Sequence, residues 1–298
     1  MLTSPISIAT VSPLPCWRSL LFIPAHKLDF VDSAGKRDAD AIILDLEDSV
    51  PAAEKPAARK YLGEKIALLT AQSLDIVIRI NHDLINAVAD LDVAVTEQTQ
   101  ALMIPKVMGA DHIRLLDEAI LHLEQQRGLL PGKIRLIALI ESIEGLCAVN
   151  TIAQSSARLC AMALGTEDLS LDGGFDTEPE NFILPAQQLI YAARLANIRS
   201  YGFPGSIADY SDINKFAQWQ VKAKSMGFNG ALCIHPSQVE PINQAYTVST
   251  ASLANAKKIV AAYEMAIKNK QGVIEVDGKM VDAPVFERAK RIIASAAI

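Results

Sequence analysis

Apolar residues fall along this chain in short continuous runs, each closed by a polar turn and followed by a stretch with helical spacing. The runs are Arg18–Ala25, Ala41–Asp48, Asp75–Asn81, Ala101–Val107, Ile134–Glu141, Arg158–Gly165, a weaker one near Ile198–Ser206, and Ala231–Pro236. Stretches with helical spacing lie between them, among others Ala53–Thr70, Asp111–Gln126, Leu184–Ala196 and Asp212–Met226. Strands that alternate with helices predict a parallel sheet, because parallel neighbours need a crossover connection. Runs such as "AIILDL" and "IRLIALI" are what strands covered on both faces look like. Eight such units in about 235 residues match the size of a closed barrel. The fold class read here is therefore α/β, a (β/α)8 TIM barrel with a C-terminal helical extension. A doubly wound open sheet is the alternative, weakened by the absence of a GxGxxG loop after the first strand.

The pattern divides the chain into a barrel over residues 16–247 and an extension over 248–298. The extension holds a helical stretch, Leu253–Lys268, a turn at Asp277-Gly278 and a final basic helix from Glu287. Such a tail packs on its own barrel or reaches a neighbouring subunit.

Composition narrows the class. Half of the 298 residues are apolar and only 5% are aromatic, which suits helices on buried strands better than an all-β sandwich. Lys plus Arg total 28 against 34 for Asp plus Glu, a formal net charge of −6 with no basic tract. That balance excludes a general nucleic-acid binder as partner class. No apolar run approaches the ~18 residues that span a bilayer, so no membrane role is expected. Met1–Pro15 has no Lys or Arg and does not read as a signal peptide. Cys16, Cys147, Cys160 and Cys233 are scattered without CxxC spacing, which points to a reducing cytoplasm and away from zinc or a disulfide framework.

In a parallel barrel the chemistry gathers at the carboxyl ends of the strands. The polar residues closing the runs are Asp45, Glu47 and Asp48, then Arg79 and Asn81, Lys106, Glu141, Glu167 and Asp168, and His235. Side chains alternate along a strand, so Asp45 shares a face with Glu47, and Arg79 with Asn81. The set is rich in carboxylates and bases and has no obvious nucleophile. Carboxylates without a His/Cys cluster suit a hard cation, Mg²⁺ by default. Glu141 and Asp168 can meet at one rim; the competing reading is that each is a solvated strand-end acid. Arg79, inside "DIVIRIN", must be paired or must bind an anion. A salt bridge to Asp45 or Glu47 and a clamp on a substrate oxygen are both open, and Lys106 carries the same two readings. Arg18 reads as structural. His235 reads as a hydrogen-bonded loop histidine rather than a metal ligand.

The blocks "RSLLFIPA", "DAIILDLEDSVPAAEKPAAR", "VIRIN", "ALMIPK", "LIALIESIEGL", "ALGTEDLS", "GFNGALCIHPSQV" and "GKMVDAPVFERAKRII" follow one another in this chain. In that order they resemble the citrate lyase β-subunit-like group of the HpcH/HpaI aldolase superfamily, over residues ~16–295. The resemblance implies a Mg²⁺-dependent (β/α)8 lyase that cleaves a 3-hydroxyacyl-CoA thioester, such as citramalyl-, malyl- or citryl-CoA, to acetyl-CoA and a 2-oxo acid. It also implies a homotrimer or hexamer in which the C-terminal segment reaches the next subunit's site. By motif, Glu141 and Asp168 match the family's Mg²⁺ ligands and Arg79 its substrate-oxygen binder. Asp282 of "MVDAPV" resembles an acid/base lent across the interface, with Glu47 or a bound water as the alternative base; from the residues alone Asp282 reads as a turn residue before Pro284. Lys106 is a further substrate-binding candidate, and Lys27, Lys55 and Arg59 are candidates for the cationic patch that CoA needs. Two departures bear on specificity: Ala25 replaces a usual glycine, and "IRSYGFPGSIADYSD" lacks an Asp common in relatives. "IHP" at the eighth run matches members that use free CoA. Two other functions fit the same resemblance: a β subunit acting on citryl-acyl carrier protein, and a barrel that binds a CoA ester without turnover.

Overall fold

Each of the eight apolar runs forms a strand. They are β1 (Ser19–Pro24), β2 (Ala41–Asp45), β3 (Asp75–Arg79), β4 (Ala101–Ile104), β5 (Arg135–Ile140), β6 (Leu159–Leu164), β7 (Arg199–Tyr201) and β8 (Ala231–Cys233). The computed structural model describes residues 16–296, so the opening stretch read above lies outside the described residues. Every neighbouring pair of these strands is parallel, in the order β7-β6-β5-β4-β3-β2-β1-β8. The ring closes between β7 and β8 through a parallel bridge, Tyr201 to Gly230, and the Gly202 N–H donates to the Gly230 carbonyl at 3.0 Å. The open-sheet alternative is thereby excluded: this is a (β/α)8 barrel.

Gly230 sits on that seam because nothing larger fits. A Cβ there would lie 2.4 Å from the Arg18 carbonyl oxygen and 2.8 Å from that of Trp17. Both are backbone atoms and cannot swing aside. Gly230→Ala should therefore destabilise the barrel by about 2 kcal/mol, the range for overpacking a filled core, measurable as a lowered urea midpoint. A midpoint equal to the parent's would show that the seam has slack.

The barrel has two apolar layers, and strand alternation separates them. Leu20, Ala41, Ile43, Val77, Ala101, Met103, Ile137, Leu139, Ala161, Ala163, Tyr201 and Leu232 fill the interior. Leu21, Ile42, Leu44, Ile76, Ile78, Leu102, Leu136, Ala138 and Met162 pack outward against the helices. The opposite, N-terminal end is tied by ion pairs, including Arg18 to Asp40 at 2.7 Å and the fully buried pair Arg158–Glu124 at 2.6 Å. Arg18 is structural, as the sequence indicates.

The helices start close to where their spacing places them: Ala110–Gln126, Ile183–Leu195 and Ile213–Met226. The stretch Ala53–Thr70 splits instead into Lys55–Lys60 and Leu62–Ala71 around Tyr61. The four cysteines are free, and among the described residues no helix is long and apolar enough to cross a membrane.

The chain divides into two compact units, one ending at Tyr246 and one starting at Thr247. The second contains a helix over Thr250–Lys268 and a hairpin of β9 (Ile274–Val276) and β10 (Lys279–Val281). Asp277 and Gly278 both take positive φ (51° and 71°), the geometry of the two-residue turn their sequence favours. The last helix begins at Ala283, four residues before the position read from the sequence. Asp282 caps it by accepting from the Val285 N–H at 3.2 Å, and Pro284 stands in the first turn. Asp-x-Pro is a helix-start signal, and it moves the boundary from Glu287.

Candidate active site

Continuing each interior row one step beyond the apolar layer gives the site. Ala41 and Ile43 lead to Asp45, Val77 to Arg79, Ile137 and Leu139 to Glu141, and Ala161 and Ala163 to Gly165. These four positions, at the carboxyl ends of β2, β3, β5 and β6, line a cavity of about 400 Å³. Asp48, Ser49, Thr166, Glu167 and Asp168 complete its polar wall. Phe22, Leu139, Leu164, Phe203, Ile207, Leu232 and Ile234 supply its apolar wall.

Arg79 organises one side. Its Nε and Nη2 donate to the two carboxylate oxygens of Asp45, each at 2.7 Å, a bidentate fork. Nη1 lies 3.2 Å from Glu47 Oε2, and the guanidinium rests on the Phe22 ring at 4.9 Å. Both readings of Arg79 are thus compatible: the Asp45 pair engages Nε and Nη2 while the guanidinium still faces the cavity. Burial works against the Arg79 charge, but Asp45, Glu47 and Glu141 outweigh it and leave it more firmly protonated than usual. Burial alone would raise Asp45; hydrogen bonds from Arg79, Ser49 and the Glu47 N–H hold it below the ordinary carboxylate range.

Glu47 lies between Arg79 and Lys106, whose Nζ is 3.2 Å from Oε1. It is 4% exposed and does not line the cavity. Burial pushes its carboxyl up to about 7, with Arg79 and Lys106 opposing and Asp48 adding to the rise. Lys106 also stays off the cavity wall. Its residue adopts φ 50°, in the left-handed region, and that turn aims its backbone N–H at Glu141 Oε1, 2.7 Å away. Burial opposes the Lys106 charge, but Glu47 and Asp48 raise its pKa overall.

Glu141 is buried, and its carboxyl is pushed up to about 8, first by burial and then by the neighbouring Glu47 charge, with Asp168 adding to it. Asp168 stands in the first turn of the helix Thr166–Gly173. Gly165, just before that helix, makes room for Glu141: a Cβ there would fall 2.6 Å from Oε2 and 2.7 Å from the Glu141 Cβ. The site therefore concentrates acidic groups that its own cations do not fully offset. One buried oxygen, Glu47 Oε2, has no hydrogen-bond partner. Among the described residues no three His, Cys, Asp or Glu side chains gather to enclose a metal. Two carboxylates facing an open cavity fit a cation that keeps water or substrate ligands, as Mg²⁺ does, and do not fit a closed tetrahedral site.

The remaining sequence candidates fall elsewhere. Asn81 lies past the end of β3 and off the cavity wall, donating to the Leu46 carbonyl at 2.8 Å and to Asp90 at 2.7 Å. Lys55 and Arg59, read as a CoA patch, make internal bonds: Lys55 to the Glu47 carbonyl and Asn81, Arg59 to the buried Asp90. A carboxylate with no exposure needs such a partner. Lys27 stays exposed. His235 bonds Ser237 at 2.7 Å and stacks on Tyr210 at 4.6 Å, the loop histidine expected. Asp282 belongs to the second unit, where it caps a helix. Sequence reading missed Gly165 and Phe22. Phe22 was recoverable by alternation from Leu20, whereas nothing in "ALGTED" marks the space Gly165 provides.

The comparisons with known proteins agree with this architecture. The family model described as HpcH/HpaI aldolase/citrate lyase matches residues 18–236, and one described as a carbon–carbon bond lyase of the TIM-barrel fold matches residues 193–298. The citrate lyase subunit beta of Escherichia coli K12 is 31% identical, covering 94% of this chain and 93% of its own length. The L-malyl-CoA/beta-methylmalyl-CoA lyase of Rhodobacter capsulatus is 30% identical over 98% of both. The crystal structure of CitE from Mycobacterium tuberculosis in complex with magnesium, acetoacetate and coenzyme A superposes with a TM-score of 0.73, at 26% identity, covering 95% of this chain and 98% of that one. By these matches along nearly its whole length, the chain belongs to the HpcH/HpaI aldolase/citrate lyase family and is a carbon–carbon lyase on a (β/α)8 barrel.

Proposed function

We propose that this protein is a Mg²⁺-dependent lyase that cleaves a 3-hydroxyacyl-CoA, of the malyl, citramalyl or citryl type, to acetyl-CoA and a 2-oxo acid. The observation that carries the reading is the pairing, across one cavity, of a buried guanidinium with two carboxylates left short of positive charge. Glu141 and Asp168 would hold the cation, which when bound supplies Lewis-acid polarisation of the substrate's oxygens. A relative named for malyl-CoA cleavage and another solved with magnesium and coenzyme A support the cation and the thioester class.

Cleavage must take a proton from a hydroxyl, break the adjacent C–C bond and accommodate the thioester enolate. Arg79 offsets the negative charge that builds on the enolate oxygen, and Asp45 fixes the plane of its guanidinium so that no reorientation is needed during the reaction. Glu47 and Lys106 steady that guanidinium from behind. Proton transfer falls to Asp282 by the likeness of its motif, supplied within a homotrimer or hexamer; of the two alternatives, Glu47 and a bound water, Glu47 does not line the cavity. The apolar wall keeps water from the enolate. No step needs an enzyme nucleophile.

Among the residues lining the cavity Arg79 is the one Lys or Arg, and two of its nitrogens are engaged by Asp45. A second substrate carboxylate would meet no free cation there, so malyl- and citramalyl-CoA are favoured over citryl-CoA. The match to a citrate lyase subunit beta favours a second reading, a subunit that works on a carrier-bound thioester. One experiment separates them: malyl-, citramalyl- and citryl-CoA are offered with Mg²⁺, and acetyl-CoA release is measured. Release from either of the first two is the expected result. Silence on all three, with turnover of citryl-acyl carrier protein, would establish the second reading instead.

A further inference from the structure

The main chain around Glu47 is held by its own turn and by side chains: the Val50 N–H donates to the Glu47 carbonyl at 3.2 Å and the Leu46 N–H to the Arg79 carbonyl at 3.0 Å. The Glu47 N–H donates to Asp45 Oδ1 at 3.0 Å. Its carbonyl accepts from Lys55 Nζ at 3.2 Å, and the preceding carbonyl, Leu46, accepts from Asn81 Nδ2 at 2.8 Å. Lys55 and Asn81 are joined to each other, Nζ to Oδ1. Asn81 is anchored in turn: its backbone N–H and its Nδ2 both donate to Asp90 Oδ2 at 2.7 Å, and Arg59 Nε donates to Asp90 Oδ1 at 2.6 Å. Asp90 has no exposure and Asn81 2%.

We infer that Lys55 and Asn81 are positioning residues, a clamp that seats Glu47 between Arg79 and Lys106. Glu47 lies beyond the end of β2, so its carbonyl has no strand partner and is held by one turn bond from the Val50 N–H together with Lys55. Its carboxylate is drawn by two cations in different directions, at 3.2 Å each. A small swing of the Glu47 backbone would carry the carboxylate away from one of them and release Arg79 Nη1 or Lys106 to drift. The clamp transmits rigidity from the helix Leu84–Ala94, which carries Asp90, to the rim of the cavity. It also gives Lys55 a use other than contact with a polyanionic ligand, since its amine is turned inward.

The inference rests on the proposed role of the Arg79–Glu47–Lys106 group in cleavage, and the test reads the two apart. Lys55→Met, with Lys55→Gln as a second variant should the first not fold, is compared with Lys55→Arg and Glu47→Gln. A crystal structure of the Lys55 variant should show the Glu47 carboxylate withdrawn from Lys106, Arg79 or both, whatever the substrate. Glu47 unmoved there would overturn the clamp and leave the proposed reaction untouched. In malyl- or citramalyl-CoA cleavage, kcat should fall about 10²-fold, the scale of a 1 Å misplacement, with KM within about threefold of the parent. Lys55→Arg should recover part of kcat, and Lys55→Met should cost nothing more in the Glu47→Gln background, as coupled residues require. A raised KM at parental kcat would overturn the inference and make Lys55 a ligand-binding cation. Parental cleavage by Glu47→Gln would overturn both the role of Glu47 and the catalytic use of its clamp.

Discussion

Glu141→Gln should lower cleavage at least ~10³-fold, since a metal's charge stabilisation is worth several kcal/mol, and should abolish the thermal stabilisation that Mg²⁺ gives the parent. The argument starts from a buried carboxyl among like charges. Burial pushes Glu141 up to about 8, with the Glu47 charge adding to the rise, and Glu47 up to about 7, both from 4.5. A carboxyl raised in the fold binds its proton more tightly there than in the unfolded chain. Stability contributed this way is therefore present at low pH and is lost as pH rises from about 4.5 through about 8. In EDTA the parent's Tm should decline across that window. Asp45, lowered by Arg79, acts oppositely and only toward acid, where its protonation removes stability. On the proposed reading Mg²⁺ would be held by Glu141 and Asp168 and would need Glu141 deprotonated, so it should raise Tm more at pH 8 than at pH 6. Glu141→Gln keeps the shape and removes the charge; it should shrink the decline, leaving the part due to Glu47, and should flatten the Mg²⁺ response. A variant that still gains the parental Tm increment from Mg²⁺ would remove Glu141 from the metal site, whatever its activity.

Most of this site was legible because two periodicities coincide in a barrel. Alternation carries the eye along an interior row, and the row ends at the face where the chemistry collects. Asp45, Arg79 and Glu141 follow from that alone. The inventory of strand ends also reaches the acid at 168, which alternation cannot because it lies in the first turn of a helix, and the motif blocks add the family. Other features were illegible for physical reasons. Lys55 and Arg59 look like surface cations in sequence, yet a carboxylate at position 90, 31 residues after Arg59, turns one of them inward. Glu47 shares the face of Asp45 only while the strand continues, and β2 ends at Asp45. The Ala53–Thr70 stretch carries one helical spacing but breaks at Tyr61. Asp282 shows how one residue can satisfy two readings, since a helix cap and a proton carrier both call for a short carboxylate. Asp282 and Pro284 together mark the start of the last helix, a signal as local as the turn before it.

Arg79→Met separates holding the barrel together from catalysis, because the proposed function gives one side chain both tasks. Removing the guanidinium leaves Asp45, 1% exposed, without its bidentate partner. Breaking a buried ion pair from one side costs about 3–5 kcal/mol, and for a barrel of this size each kcal/mol lowers Tm by roughly 2–4 °C. Cleavage should fall about 10²–10³-fold, as when one donor to a developing oxyanion is lost. Arg79→Lys should fare little better, since an ammonium cannot reproduce the fork. The decisive variant is the double change Asp45→Asn with Arg79→Met. It removes the stranded charge and should regain part of the lost Tm, because a neutral amide costs less to bury than an unpaired carboxylate. It should regain no cleavage, because nothing then faces the enolate oxygen. Thermal melts and kcat/KM on the same three proteins suffice. If cleavage returned together with Tm in the double variant, Arg79 would be a structural cation only, and the charge on the enolate would have to be met by another group on the cavity wall.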